Sequence, residues 1–241
     1  KEFSVSCSVM EKTGDSISFL KRRMVKLDDG IMVVPGTTAE KVVACFEKAF
    51  GVSKVQKIPC DAGIQNEDST PGLTTKDASA YRSVVGLLLY LARDRPDLMF
   101  SVKEVAASMS CPTLCALQRL RKLVGYLKGS GDFGIKLIPP EFGHGRWKQG
   151  AECFWVVETF SDADWAANKS HRRSTSCAVH FINNSRAYRA YASSRTQRVV
   201  ALSSAESELH SMVSGCSDAI FIKRCLQFLV PEDVEHIHWV D

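Results

Sequence analysis

Residues 200–229, VALSSAESELHSMVSGCSDAIFIKRCLQFL, contain a long helical pattern. Apolar residues recur there at the spacing of one helical face and predict a helix from Ala205 to about Leu229 that packs against a sheet. The stripe consists of Leu209, Met212, Val213, Cys216, Ala219, Ile220 and Leu226. Extended backwards by three residues, it reaches Glu206, whereas Glu208 lies about 200° away around the helix. We therefore expect Glu206 to face the sheet.

The start of this helix allows a second interpretation of Glu206. Ser203 followed by Glu206 matches the S-x-x-E pattern of a capping box, in which the glutamate binds backbone N–H groups at the helix end. The helix alone leaves both interpretations open.

Strand-like segments surround the helix, at about 153–161, 175–182, 187–193 and 237–240. Their β-β-β-α-β order predicts a mixed sheet with helices packed on it. Asp162 follows the first strand and Asp241 ends the last, so the two aspartates and Glu206 could form a cluster that binds divalent cations. Each aspartate taken singly is more typical of a turn that ends a strand. Asp164 competes with Asp162, because residues i and i+2 share one face of a strand.

The N-terminal half predicts a hairpin and a set of helices. Two strands, 16–27 and 31–35, surround the turn Asp28-Asp29-Gly30. Thr38 can cap a helix that runs through Phe50, with Gly51 just after its end. Residues 58–76 are typical of a linker. From 76 to 129 the pattern is helical in three pieces, broken before Pro96 and Pro112.

The segment from Pro139 to Gly150 marks a boundary, because it holds two adjacent prolines and three glycines. We predict two domains, 1–138 and 151–241, joined by a linker at 139–150. The last helix of the first domain carries basic residues away from its apolar stripe, and these are more typical of a solvated face than of phosphate contacts. They are Arg119, Arg121, Lys122 and Lys128.

Composition indicates an ordinary intracellular protein that can bury a core, with 45% hydrophobic and 24% charged residues. The longest apolar run, 84–92, is about half of the ~20 residues that a membrane helix needs. Nine cysteines without a CxxC pair predict reduced thiols. A net charge of +4 permits nucleic-acid binding without arguing for it. The start at Lys1 and the stop after an apolar run lead us to expect a fragment.

Five ordered blocks resemble the polyproteins of copia-type retrotransposons. They are YRSVVGLLLYLARDRPDLMF (81–100), PTLCALQRLRKLVGYLKGSGDFGIKL (112–137), FSDADW (160–165), RRSTS (172–176) and VALSSAESEL (200–209). Residues 17–51 are similar, more loosely, to the end of the family's polymerase. The resemblance implies an α+β chain: the thumb or connection end of a reverse transcriptase at 1–138, and a ribonuclease H-like domain at 151–241 that is incomplete at its C-terminus.

The resemblance also implies an activity, the hydrolysis of RNA in RNA–DNA hybrids. In the family, residues matching Asp162, Glu206 and Asp241 hold two catalytic Mg²⁺ ions about 3.5 to 4 Å apart, and Mn²⁺ can substitute. Hybrid selectivity would come from 2′-hydroxyl contacts and strand shape. The basic residues Arg172, Arg173, Arg195 and Arg198, with His171, are candidates for backbone contacts, and a solvated basic loop is an equally open interpretation.

Further expectations follow from the same family. The partners are the RNA–DNA hybrid and the remaining polymerase and integrase parts of the polyprotein, and the location is a cytoplasmic particle and then the nucleus. The family uses a fourth carboxylate beyond the strand that ends at Asp241, so we expect the fragment alone not to cleave. The alternative function is a non-catalytic relic or a domesticated nucleic-acid binder. Zinc is not expected, because no second ligand pair follows Cys177 and His180.

Overall fold

The chain folds into α-helices and two β-sheets. The computed structural model describes residues 8–61, 69–131, 133–137, 155–182, 189–230 and 233–240. These ranges hold five α-helices and two four-stranded sheets. The expected α+β class is confirmed at this level.

The first sheet is antiparallel, with the order β1-β2-β3-β4. Its strands are β1 (Ser16–Phe19), β2 (Arg22–Leu27), β3 (Gly30–Val34) and β4 (Ile135–Leu137). The predicted turn at Asp28-Asp29-Gly30 is confirmed by the β2–β3 register. The predicted strand at 16–27 is instead two strands, because Leu20 and Lys21 form a tight turn at φ 49° and 65°.

Four helices pack around the larger apolar core. They are α1 (Thr38–Phe50), α2 (Thr75–Leu91), α3 (Met99–Ala107) and α4 (Leu114–Gly129). A 3-10 turn at Pro96–Leu98 leads into α3, and the Thr113 hydroxyl accepts a hydrogen bond from Ala116 N at the start of α4. The predicted breaks before Pro96 and Pro112 are confirmed. The core of these helices includes Phe46, Leu88 and Leu120, which are fully buried.

An extended segment lies directly on α4 at Gly125. Gln56 N donates to Gly125 O over 3.1 Å, and a Cβ at this glycine would lie 2.2 Å from Lys54 O and 2.9 Å from Gln56 Cγ. Since the first of these atoms belongs to backbone, the segment itself would have to move. Glycine is therefore required here for close approach.

Gly125→Ala is expected to lower the free energy of unfolding by about 2 to 3 kcal/mol, the upper part of the usual range for an overpacked site. The matched control is Gly86→Ala in α2, where nothing lies within 4 Å of the added Cβ; there alanine should stabilise by about 0.5 to 1 kcal/mol. Urea unfolding of both variants checks the pair. Equal effects of the two substitutions would contradict the close approach.

The second sheet has the order β7-β6-β5-β8. Its strands are β5 (Trp155–Asp164), β6 (Thr175–Ile182), β7 (Arg189–Thr196) and β8 (Val234–Trp239). The β5–β6 and β6–β7 pairs are antiparallel, and the β5–β8 pair is parallel. Helix α5 (Ser204–Leu229) joins β7 to β8. A smaller apolar core beneath it includes Val157, Ala219 and Val234.

The predicted linker at 139–150 lies outside the described residues, so the proposed domain boundary stays a prediction. The two halves touch where Lys103 Nζ on α3 donates to Thr175 Oγ1 on β6 over 2.8 Å. Of the cysteines, the seven in the described ranges are free thiols. In the same ranges, every helix is too short or too polar to cross a membrane.

Candidate carboxylate site on the second sheet

Asp162 lies within β5, two residues before the strand ends. It is paired with Cys177 on β6, and its side chain is exposed. Asp162 Oδ1 accepts a hydrogen bond from Ala163 N over 2.8 Å. The strand extends further than the predicted end at Ser161, so Asp162 is presented on a sheet and not on a terminating turn.

Glu208 reaches the same backbone group from α5. Its Oε1 accepts from Ala163 N over 3.1 Å, so one N–H is shared by the carboxylates of Asp162 and Glu208. Two carboxylate oxygens that converge on a single donor lie close to each other and repel, and a bound cation would relieve that repulsion. This convergence is the central feature of the site.

Glu206 does not join the cluster. Its backbone N donates to Ser203 Oγ over 3.1 Å, and its Oε2 accepts from Leu202 N over 2.6 Å. Its Oε1 lies 3.9 Å from His210 Nε2. The prediction that Glu206 faces the sheet is wrong, and the capping interpretation is confirmed.

The buried face of α5 explains the difference between the two glutamates. It is formed by small residues four apart, Ser207, Ser211, Gly215 and Ala219, and by Leu226 towards the far end. The first half of the predicted apolar stripe faces outward, with Leu209 and Val213 more than half exposed, and only Ala219 and Leu226 of that stripe are buried. The small face lets the helix approach the strands closely. The repeat of small residues, adjacent to Glu208, is the signal that could have found the inward glutamate.

Ser211 ties the helix to the strands beside the site. Its hydroxyl lies 2.7 Å from Asp162 O and 3.1 Å from Cys177 O, and the residue is only 1% exposed. The Cys177 thiol donates to Asp162 O over 3.5 Å. Burial raises the pKa of this thiol, and the negative charges of Asp162 and Glu208 raise it further, so Cys177 is a neutral thiol.

A histidine network fills the space between the sheet and α5. Thr159 Oγ1 lies 2.9 Å from His180 Nδ1 and 3.1 Å from His236 Nε2, while His238 Nε2 lies 2.7 Å from Ser161 Oγ. Burial lowers the pKa of His180 to about 4, against the opposing charge of Asp218. Burial also lowers the pKa values of His236 and His238. All three rings are therefore neutral near pH 7.

The four predicted nucleic-acid contacts divide into two kinds. Arg195 binds α5, donating to Ser214 Oγ over 3.1 Å and to Asp218 Oδ1 over 3.2 Å. Burial lowers its pKa, but hydrogen bonds to Asp218 and Tyr191 outweigh that and leave the pKa raised. Arg172, Arg173 and Arg198 are exposed. Their contact with nucleic acid stays a prediction.

Asp241, the third predicted ligand, lies outside the described residues. The parallel register pairs Phe160 with Trp239, and it stops two residues before Asp162 on one strand and two before Asp241 on the other. Among the residues with described positions, no group of three or more His, Cys, Asp or Glu side chains could hold a metal ion. The described part of the site is thus the carboxylate pair.

About three fifths of the chain is similar to the Pol polyproteins of plant transposons and to a secreted effector protein. It is 32% identical over 151 residues to the retrovirus-related Pol polyprotein from transposon RE1 of Arabidopsis thaliana, and 31% identical over 151 residues to that from transposon RE2. Each match covers 63% of this chain and 9% of the polyprotein. Secreted RxLR effector protein 161 of Plasmopara viticola is 32% identical over 146 residues, which are 59% of this chain and 90% of the effector.

The predicted resemblance to the Pol polyproteins of retrotransposons is confirmed over this part of the chain. The chain spans 9% of the length of the two Arabidopsis polyproteins. No protein-family model matches the chain, and no solved structure matches it.

Proposed function

We propose that the chain contributes the ribonuclease H part of such a polyprotein, and that it hydrolyses the RNA strand of RNA–DNA hybrids with Mg²⁺. The observation that carries this proposal is the sharing of one backbone N–H, that of Ala163, by Asp162 and Glu208. Glu208 replaces Glu206 in the proposed ligand set. Asp241 is retained in it on the resemblance alone.

The second sheet supports this assignment. A central strand that carries an aspartate, flanked by an antiparallel and a parallel neighbour and covered by a helix that carries a glutamate, is the arrangement that the ribonuclease H-like proposal requires. We also propose that the first sheet and α1–α4 are the thumb or connection end of a reverse transcriptase. The similarity to Pol polyproteins supports both parts.

The residues present fit a hard divalent cation. Mg²⁺ prefers oxygen ligands and is commonly held by one or two carboxylates together with oxygens of the substrate, and Asp162 and Glu208 supply two carboxylates at one point. When bound, the ions would activate water and stabilise the leaving oxygen. Residues of the chain itself orient the two carboxylates. The N–H of Ala163 aligns both of them, and Ser211 fixes the backbone at Asp162.

Cleavage of a labelled RNA–DNA hybrid tests the proposal. We expect cleavage in Mg²⁺ or Mn²⁺ by a chain extended beyond Asp241, no cleavage in EDTA, and loss of cleavage on Asp162→Asn. Asp164→Asn is the matched control, since Asp164 lies on the same face of β5 and makes no contact with Ala163 N. Salt-sensitive hybrid binding without cleavage would favour the alternative, a non-catalytic nucleic-acid binder.

The partners and the location of the family are also proposed for this chain. We propose that the polymerase and integrase parts of a polyprotein are the partners, and that the protein acts in cytoplasmic particles before it reaches the nucleus. Co-purification with hybrid-containing particles would support both.

A further inference from the structure

Gln197 joins three elements beside the carboxylate pair. It follows β7 directly and is 7% exposed. Its side-chain Nε2 donates to Ser176 Oγ on β6 over 2.9 Å and to Ser207 O on α5 over 2.9 Å. Its backbone N donates to Ser174 O over 2.8 Å. One side chain thus connects the start of the helix to β6, a middle strand of the sheet.

The two hydrogen-bond partners of Gln197, Ser176 and Ser207, are direct neighbours of residues in the site. Ser176 is the cross-strand partner of Ala163, whose N–H is shared by Asp162 and Glu208. Ser207 directly precedes Glu208. The Gln197 amide therefore sets the distance between the residue that carries one carboxylate and the strand pair that carries the other.

We infer that Gln197 is a positioning residue that holds the Glu208 carboxylate on Ala163 N–H, and so sets the spacing of the proposed cation ligands. It acts through Ser207 and Ser176 and does not itself touch a ligand. The catalytic meaning of this role rests on the proposed function, whereas the positioning itself does not.

The chemistry requires an amide at this position. Ser207 O can only accept, so the Gln197 end that faces it must donate, which fixes the orientation of the amide. In that orientation Gln197 Oε1 is buried and has no hydrogen-bond partner among the described residues. The N–H groups of Gln197 Nε2 therefore hold this side chain in place. Methionine keeps the length and loses both donors, and glutamate would bring a carboxylate oxygen against a carbonyl.

The test compares Gln197→Met with Gln227→Met, a control at an exposed glutamine near the far end of α5, both in the full chain. Amide hydrogen exchange followed by NMR is the first readout. Loss of the Gln197 bridge should speed exchange at Ala163 by about tenfold, the effect of one net hydrogen bond. Amides of α2 and α4 should keep their rates, which a general loss of stability would not allow.

The second readout is the affinity for Mn²⁺, measured by titration calorimetry. We expect Gln197→Met to bind about tenfold to a hundredfold more weakly than the control, as residues that orient a ligand usually do. Unchanged exchange at Ala163 in Gln197→Met would overturn the inference. If the unsubstituted chain binds no Mn²⁺ while exchange at Ala163 still rises, the proposed function fails and the positioning role stands.

A milder variant covers the case in which Gln197→Met does not fold. Ser176→Ala removes one of the two bridges and leaves Gln197 bound to Ser207 O. We expect a smaller rise in exchange at Ala163, about threefold, with the same ordering of Mn²⁺ affinities. A rate equal to that of Gln227→Met would overturn the inference here as well.

Discussion

Glu208→Gln, in the chain extended beyond Asp241, is expected to reduce Mg²⁺-dependent cleavage by more than about a hundredfold, the upper end of what is lost when a residue only supports a metal ligand. The amide is isosteric and can still accept from Ala163 N, so the fold is kept. What it lacks is the negative charge that would hold the cation beside Asp162. Rates with saturating hybrid, measured over a range of Mg²⁺ concentrations, check the expectation.

Glu206→Gln is the matched control for this substitution, since it makes the same chemical change two residues earlier. Its Oε1 can still accept from Leu202 N, so the cap is weakened by no more than about 1 kcal/mol. We expect cleavage within about threefold of the unsubstituted chain, well short of the loss expected for a ligand. The opposite ranking, with Glu206→Gln inactive and Glu208→Gln active, would restore the assignment made from the helical stripe.

Arg95→Met is expected to lower the free energy of unfolding by about 3 kcal/mol, the low end of the cost of breaking a buried ion pair from one side, because the Asp97 side chain left behind is 33% exposed. Arg95 is 1% exposed. Its guanidinium binds Asp97 through two hydrogen bonds of 2.9 and 2.7 Å, and it also donates to Ser130 O and Ser130 Oγ over 2.8 Å each. Urea unfolding measures the loss.

The control for Arg95 is Arg82→Met on α2. Arg82 is exposed and donates to the backbone carbonyls of Met109 and Ser110, so its loss should cost at most about 1 kcal/mol. A similar loss of unfolding free energy in Arg95→Met and Arg82→Met would show that the Arg95–Asp97 ion pair stabilises the fold no more than an exposed arginine does.

The same ion pair predicts a dependence on pH. Burial raises the pKa of Asp97, but hydrogen bonds and the charge of Arg95 outweigh burial and leave the pKa below its usual 3.8. A carboxyl group with a lowered folded pKa stabilises the protein above its unfolded pKa, and that stabilisation is lost as the pH falls through the folded value. In Arg95→Met, this part of the acid destabilisation should disappear.

The parts of the fold that could be predicted are those with local signals. Strand β6 has the bounds predicted from its alternating pattern, and α1 ends at Phe50 before Gly51 as expected, although it begins at Thr38 itself and Thr37 occupies the cap position. Prolines at 96 and 112 divide the helices at the predicted places. In these segments the apolar side chains face the core, so periodicity and burial agree.

The orientation of the first turns of α5 could not be predicted from their apolar residues, because Leu209 and Val213 are exposed while Ser207 and Ser211 are buried. The sheet beneath its first turns presents polar groups: Ser211 donates to Asp162 O, and Ser207 is joined to Ser176 Oγ through the Gln197 amide. A stripe built on Leu209 and Val213 therefore predicted that Glu206 faces the sheet, whereas Glu208 reaches Ala163 N and Glu206 caps the helix. Strand β4 is too short, at three residues, to carry a detectable pattern.

The hydrogen-bonded contact between the start of α5 and the sheet has a thermal consequence. Heat-capacity changes on opening come mainly from newly hydrated apolar surface, and Ser207, Ser211 and Gly215 expose little of it. The free energy needed to detach the first turns of α5 should therefore change linearly with temperature, with little curvature. The apolar core around Phe46 and Leu120 should instead follow a strongly curved stability profile, so on cooling the helices α1–α4 would weaken before the carboxylate pair separates.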